Sequence, residues 1–133
     1  MTFPTARACS SNCFVATPNA IIVAGYYTLA AASIPVLEFP EPDKKRIPRY
    51  PVLPAALIGR LAVDQRFRGR GLGAALLFDA FRRALQAEPA IFAMIVDAKD
   101  ASAASFYAHF GFRAFASKPM SMFLPLATAA TLL

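Results

Sequence analysis

Arg68-Gly69-Arg70-Gly71-Leu72-Gly73 sets three glycines and two guanidinium groups just ahead of a helical pattern. Glycine lets the main chain turn through positive φ and lets a ligand approach it closely. Several backbone N–H groups then converge, and a helix start adds partial positive charge. The chemistry that suits this run is the binding of a phosphate-bearing anion, and a pyrophosphate is the expected ligand. Arg68 and Arg70 would add charge to the same place.

The surrounding elements must position that turn. Leu57 to Val63 is an apolar run that reads as a strand. Leu72 to Gln86 follows as the clearest helix, with Leu72, Leu76, Leu77, Ala80, Phe81, Ala84 and Leu85 on one face. Asp79 and Arg83 can pair at i, i+4, and Glu88-Pro89 ends the helix. Ile91 to Val96 reads as a buried strand. Asp100 caps a second helix, Ala101 to Phe110, closed by Gly111. Phe112 to Ala116 and Met120 to Leu126 are expected as the last strands, and Ala127 to Leu133 as a frayed tail.

Towards the start, Asn12 to Ala16 and Ile21 to Ser33 form an expected hairpin around Thr17-Pro18-Asn19. Tyr26 and Tyr27 alternate along that strand, so one belongs to the core and the other to a cleft. Pro35 to Pro54, rich in proline and early charge, is expected as a long surface loop. Residues 1–11 are expected to carry no element. The order β-β-loop-β-α-β-α-β-β predicts a single α/β (α+β) domain over residues 1–133. Its sheet should be mixed and mostly antiparallel, with one central parallel pair joined by the first helix and helices packed on it.

Composition sets wider bounds. The 133 residues suffice for one domain, and 57% apolar residues can build a core without cross-links. Fourteen Lys and Arg against eight acids give a net charge of +6, which favours an acidic partner. Cys9, Cys13 and the lone His109 do not match a zinc-ligand spacing, so no metal is expected, and the thiols read as idle in a reducing cytosol. His109 reads as a helix-end residue favourable to the dipole. Residues 8–37 carry no Asp, Glu, Lys or Arg. The turn at Thr17-Pro18-Asn19, the β-branched and aromatic content, and Gly25, Ser33 and Pro35 argue against a membrane span there. No secretion signal follows Arg7.

Three readings compete for the glycine turn. Gly69-x-Gly71-x-x-Ala74 satisfies the dinucleotide pattern, but five residues separate it from the strand, and Glu88 and Asp97 are poorly placed for a ribose. Arg-Gly nucleic-acid segments are long and disordered, whereas this run opens an amphipathic helix. The third is the Arg-x-x-Gly-x-Gly pyrophosphate loop of coenzyme A-dependent N-acyltransferases.

Val63 to Gly73 resembles motif A of the Gcn5-related N-acetyltransferases (GNAT), and Ser105 to Phe112 resembles their motif B. Gly25-Tyr26-Tyr27-Thr28-Leu29-Ala30, Ile47 to Pro51, Gly59 to Asp64, Val96 to Asp100 and Phe123 to Leu126 resemble the acetyltransferase toxins of bacterial toxin–antitoxin pairs. The resemblance covers about Cys13 to Leu126. It implies the GNAT fold, with the parallel strands splayed at the coenzyme A (CoA) site and helices on both faces. It implies acetyl-CoA as donor and the α-amine of aminoacyl-tRNA as acceptor. It also implies a small DNA-binding antitoxin as partner, a homodimer, and a cytoplasmic place of action.

The resemblance assigns roles. The N–H groups from Arg68 through Gly69, Arg70, Gly71 and Leu72 to Gly73 would hold the CoA pyrophosphate. The main chain of Leu61, Ala62 and Val63 would pair with the pantetheine amides. Tyr107 would protonate the departing thiolate. Arg60, Tyr26 and Arg49 would meet the acceptor, with Arg60 and the Lys44–Arg49 loop on tRNA phosphate. No residue reads as a general base, and proximity with a water would serve. The resembling toxins begin with further residues that help build the acceptor side and the antitoxin contact. Residues 1–11 are too short to supply them. An acetyltransferase for small amines or protein N-termini, and a binding module without turnover, stay open as alternatives.

Overall fold

The computed structural model describes residues 5–7, 12–19, 22–45, 47, 50–88 and 90–133. The expectations on Cys9, Ile21, Arg46 and Arg49 lie outside them. The described strands are β1 (Thr5–Arg7), β2 (Asn12–Ala16), β3 (Gly25–Pro35), β4 (Val52–Val63), β5 (Ala93–Asp97), β6 (Arg113–Ala114) and β7 (Ser121–Pro125). The helices are α1 (Glu41–Lys44), α2 (Leu72–Leu85), α3 (Ala101–His109) and α4 (Leu126–Ala130). The strands form one sheet in the order β1-β2-β3-β4-β5-β7-β6. Among the described strands only β4 and β5 run parallel, and α2 crosses between them. The mixed, mostly antiparallel α/β architecture with a central parallel pair is therefore the one expected.

Alternation along the central strands builds a core on each face. Ala56, Ile58, Met94, Val96, Met122 and Leu124 point to one face, where they meet Leu76, Leu77, Ala80 and Phe81 of α2, Tyr107 of α3, and Leu126 and Ala129. Leu76, Leu77 and Phe81 are fully buried, and each is worth roughly 1.5–3 kcal/mol of burial. Leu53, Ala55, Ala93 and Phe123 point to the other face and pack with Ile34, Phe39 and Phe115. Phe39 follows a 3-10 turn, Val36–Glu38, and meets Phe123 edge-on with centroids 4.9 Å apart.

Four expectations need correction. β4 begins at Val52, so the proline loop is shorter than Pro35 to Pro54. Pro54 fits because the parallel ladder with β5 starts only at Ala55, and the missing N–H breaks no bond of that ladder. Residues 127–133 are not merely a frayed tail. α4 forms because Leu126 and Ala129 are buried beside α2, so tertiary packing overrides a weak local signal. The run Phe112 to Ala116 pairs only at Arg113 and Ala114. Thr5–Arg7 adds an edge strand against β2, where no element was expected.

Candidate active site

The parallel ladder holds from Ala55↔Ala93 to Ile58↔Val96 and stops there. β4 runs on to Val63 while staying paired with β3 through Tyr27↔Leu61, Tyr26↔Ala62 and Gly25↔Val63. From Gly59 to Val63 it has, among the described residues, no strand on its β5 side. The result is a V-shaped opening whose β4 wall offers an unpaired main-chain edge.

A bulge aims that wall. The β3–β4 register shifts between Tyr27 and Leu29, so Gly59 and Arg60 together oppose Thr28. Thr28 Oγ1 accepts a hydrogen bond from the Arg60 backbone N–H at 3.0 Å. A Cβ on Gly59 would lie 2.7 Å from the same oxygen, so this position has no room for a side chain.

Two cavities fill the opening. One, of about 380 Å³, is lined by Tyr26, Arg60, Leu61, Ala62, Asp97 and Tyr107, among others. The second, of about 440 Å³, is lined by Leu61, Val63, Arg68, Ser102, Phe106 and Tyr107, among others. Tyr107, Leu61, Lys99 and Ala103 border both. A smaller hollow of about 240 Å³ continues to Phe67, Arg68, Gly69, Gly71, Leu72 and Gly73. A long thin ligand could thus lie from the glycine turn to the strand gap.

The turn is built as the glycines suggested. Gly69 and Gly71 have φ of 77° and 76°, a region L side chains avoid. Ala75 N–H makes an early intrahelical bond, to Gly71 O at 3.1 Å. The N–H groups of Leu72, Gly73 and Ala74 precede it at the positive end of α2. Gly73 matters for packing instead. A Cβ there would touch the Phe106 ring at 3.4 Å, so this glycine sets the approach of α3. Asp64 braces the turn from the other side. Its carboxylate accepts from Arg66 N at 2.9 Å and Nε at 3.0 Å, which holds its pKa below the usual carboxylate range.

Tyr107 is buried near the floor of the opening, between Phe106 and Phe112. Burial raises its phenol pKa, so the hydroxyl stays a proton donor at neutral pH. Among the described residues that hydroxyl has no hydrogen-bond partner. Tyr27 is fully buried and donates to Asp79 Oδ2, while Tyr26 lines the cavity. The pair divides between core and cleft as the alternation required. His109 ends α3, exposed, as expected.

The structure thus gathers Tyr26, Arg60, Leu61, Ala62, Val63, Arg68, Gly69, Gly71, Leu72, Gly73 and Tyr107 around one continuous opening. Arg70 lies in the same turn, between Gly69 and Gly71. Its guanidinium lies 5.3 Å from the centroid of the Phe67 ring, which itself lines the hollow at the turn. Asp97 and Lys99, to which the sequence alone assigns no role, do border the opening. Their signal is position: Asp97 ends an otherwise uncharged parallel strand and Lys99 follows it, at the carboxyl end where α/β sheets hold ligands.

Residues 53–122 match the acetyltransferase (GNAT) domain family. A tRNA-acetylating toxin of Mycobacterium tuberculosis (strain ATCC 25618 / H37Rv) is 38% identical over 125 residues, covering 92% of this chain and 74% of the relative. The structure of AtaT complexed with acetyl-methionyl-tRNAfMet superposes with a TM-score of 0.77 at 27% identity, covering 92% of this chain and 75% of the other. AtaTR bound with acetyl-CoA gives 0.71 at 26% identity, with coverages of 92% and 74%.

Proposed function

The chain belongs to the acetyltransferase (GNAT) family, and from that premise we propose that it moves an acetyl group from acetyl-CoA to the α-amine of aminoacyl-tRNA. The observation that carries the reading is the position of Tyr107, bordering both the donor-side and the acceptor-side cavity. The toxin relative and the AtaT complex with acetylated charged tRNA support the acceptor class.

The donor would lie along the opening. The glycine turn and the N-terminus of α2 would hold the pyrophosphate, with Arg68 beside it. Its pantetheine amides would pair with the free edge of β4 at Leu61, Ala62 and Val63, as an added strand does. The thioester would then reach the point where β4 and β5 separate.

The amine attacks the thioester carbon, a C–N bond forms, and the C–S bond breaks. The leaving thiolate takes its proton from the Tyr107 hydroxyl. A buried phenol is a weaker acid than a thiol of ordinary pKa near 8.5, so its proton passes to sulfur only as the C–S bond breaks and only with a proton returned to the phenol from water. The attacking nitrogen gives its extra proton to water, and water restores the phenol. Proximity supplies much of the acceleration.

Charge on the acceptor side favours an acceptor that carries phosphate. Arg60 and Lys99 stand there against Asp97 alone, an excess of positive charge that disfavours a polycationic amine. Lys44, Lys45 and Arg49 would contact tRNA phosphate. The same reading carries a small DNA-binding antitoxin, a homodimer and action in the cytoplasm. No helix among the described residues is long and apolar enough to cross a membrane.

The test is acetyl transfer from acetyl-CoA to charged tRNA, read by mass spectrometry of the released aminoacyl group, beside a panel of small amines and peptide N-termini. N-acetylaminoacyl-tRNA is expected. Turnover confined to small amines or peptides would overturn the acceptor, and tight acetyl-CoA binding with no turnover would overturn the catalytic reading.

A further inference from the structure

Asp97 is the first residue of β5 beyond the parallel ladder, which ends at Ile58↔Val96. Buried Val96 points to the α2 side of the sheet with Met94, so strand alternation turns Asp97 to the opposite side. It lines the same cavity as Tyr26, Arg60 and Tyr107. Its carboxylate is held from one side: Asp97 pairs with Ser121 across β5–β7, and the Ser121 hydroxyl donates to Asp97 Oδ1. Asp97 Oδ2 has no partner among the described residues. A fixed carboxylate with one free oxygen, across a cavity from a proton-donating phenol, is the complement of an amine that must be oriented.

We propose that Asp97, held by Ser121, docks the acceptor amine by taking an N–H hydrogen bond on Oδ2. The inference rests on the acyl-transfer reading and names the part of the site that selects the nucleophile. Asp97 orients the nitrogen so that its lone pair faces the thioester carbon. The covalent step is unchanged: C–N forms, C–S breaks, and the Tyr107 proton goes to sulfur. Arg60 and Lys99 border the same cavity. One carboxylate between two cations matches an aminoacyl ester at a polynucleotide end, where an amine and phosphates lie close together.

The test uses the full chain, charged tRNA as acceptor and acetyl-CoA as donor. For D97N, kcat/KM towards charged tRNA should fall about ten- to a hundredfold, as expected for losing a hydrogen bond to a charged group. The dissociation constant for acetyl-CoA should stay at the wild-type value. D97E should recover part of the loss. S121A should raise KM for charged tRNA with a smaller effect on kcat, because the carboxylate is kept but less fixed. Wild-type kcat/KM in D97N would overturn the docking role alone. An equal loss of acetyl-CoA binding and turnover in D97N and S121A would also overturn it, since the pair would then only hold the sheet. A wild-type protein that acetylates no charged tRNA would remove the reading beneath the inference.

Discussion

Thr28 and Gly59 fit one another at the β4 bulge: the Thr28 hydroxyl oxygen takes the space that a Cβ on Gly59 would need, 2.7 Å away. That oxygen also accepts the Arg60 N–H. The bulge turns the wall of the opening just where the β4–β5 ladder ends, so a packing detail on β3 reaches the place where acyl transfer would occur.

Gly59→Ala should therefore cost about 1–3 kcal/mol of stability through overpacking. Thr28→Val should cost about 1 kcal/mol, from one lost hydrogen bond. The double variant Thr28→Ala, Gly59→Ala should be more stable than the sum of its single changes predicts, because the clash goes with the hydroxyl. Urea unfolding of the wild type, both single alanine variants and the double variant checks this, and strict additivity would contradict the shared site.

Tyr107→Phe should lower kcat by about 10²–10⁴-fold, the range for a general acid, with acetyl-CoA affinity unchanged. The wild-type phenol is raised by burial. Loss of its proton, and with it activity, should set in only above the ordinary phenol range near pH 10. A pH profile of kcat on a stable acceptor measures this. An alkaline limb below pH 9 that disappears in the Phe variant would argue against Tyr107 as a buried acid.

Gly71 caps α2 at φ 76° with nothing within 4 Å of an added Cβ. Substitution there meets strain, not a clash. Gly71→Ala should cost about 1–2 kcal/mol, and Gly71→Asn less, because Asn tolerates this region. Saturating acetyl-CoA should raise the wild-type melting temperature and raise that of Gly71→Ala less. Equal ligand shifts in all three proteins would remove the turn from the donor site.

Tyr27 donates to Asp79 Oδ2 at 2.5 Å, and Arg83 Nε reaches the same oxygen at 3.0 Å while lying over the Phe14 ring. This cluster ties β3 to α2. Burial, then Asp79, raises the Tyr27 pKa far above the usual phenol value. Above pH 10 the unfolded chain loses that proton and the folded one keeps it. Stability from this group is full below pH 10 and falls as pH rises beyond it. Tyr27→Phe should be less stable at neutral pH and show a shallower alkaline decline in denaturation midpoints.

Much of the site is legible in local sequence. Glycines at 69 and 71 need positive φ, Asp100 caps α3 through a bond to Ala103 N at 2.8 Å, and the spacing of Leu76, Leu77, Ala80 and Phe81 marks a buried face. The Arg70 guanidinium lies against the Phe67 ring, a placement that the motif pattern does not specify. The worth of Asp97 is hidden in sequence because it depends on Ser121, 24 residues further along the chain.

The residues alone specify the run of elements from Asn12 to Leu126 in outline and the glycine turn, and their resemblance to the GNAT motifs joins that turn to Tyr107. The order and the turn follow from φ/ψ limits, capping and side-chain period, which act over a few residues, whereas the link to Tyr107 is what the resemblance to the two motifs implies. Packing in three dimensions sets where β4 begins, that the chain end folds as α4, where the bulge at Gly59 and Arg60 falls, and that Asp97 shares a cavity with Tyr107. Each depends on register or burial between distant segments, and local preference carries no information about which residue will lie opposite another.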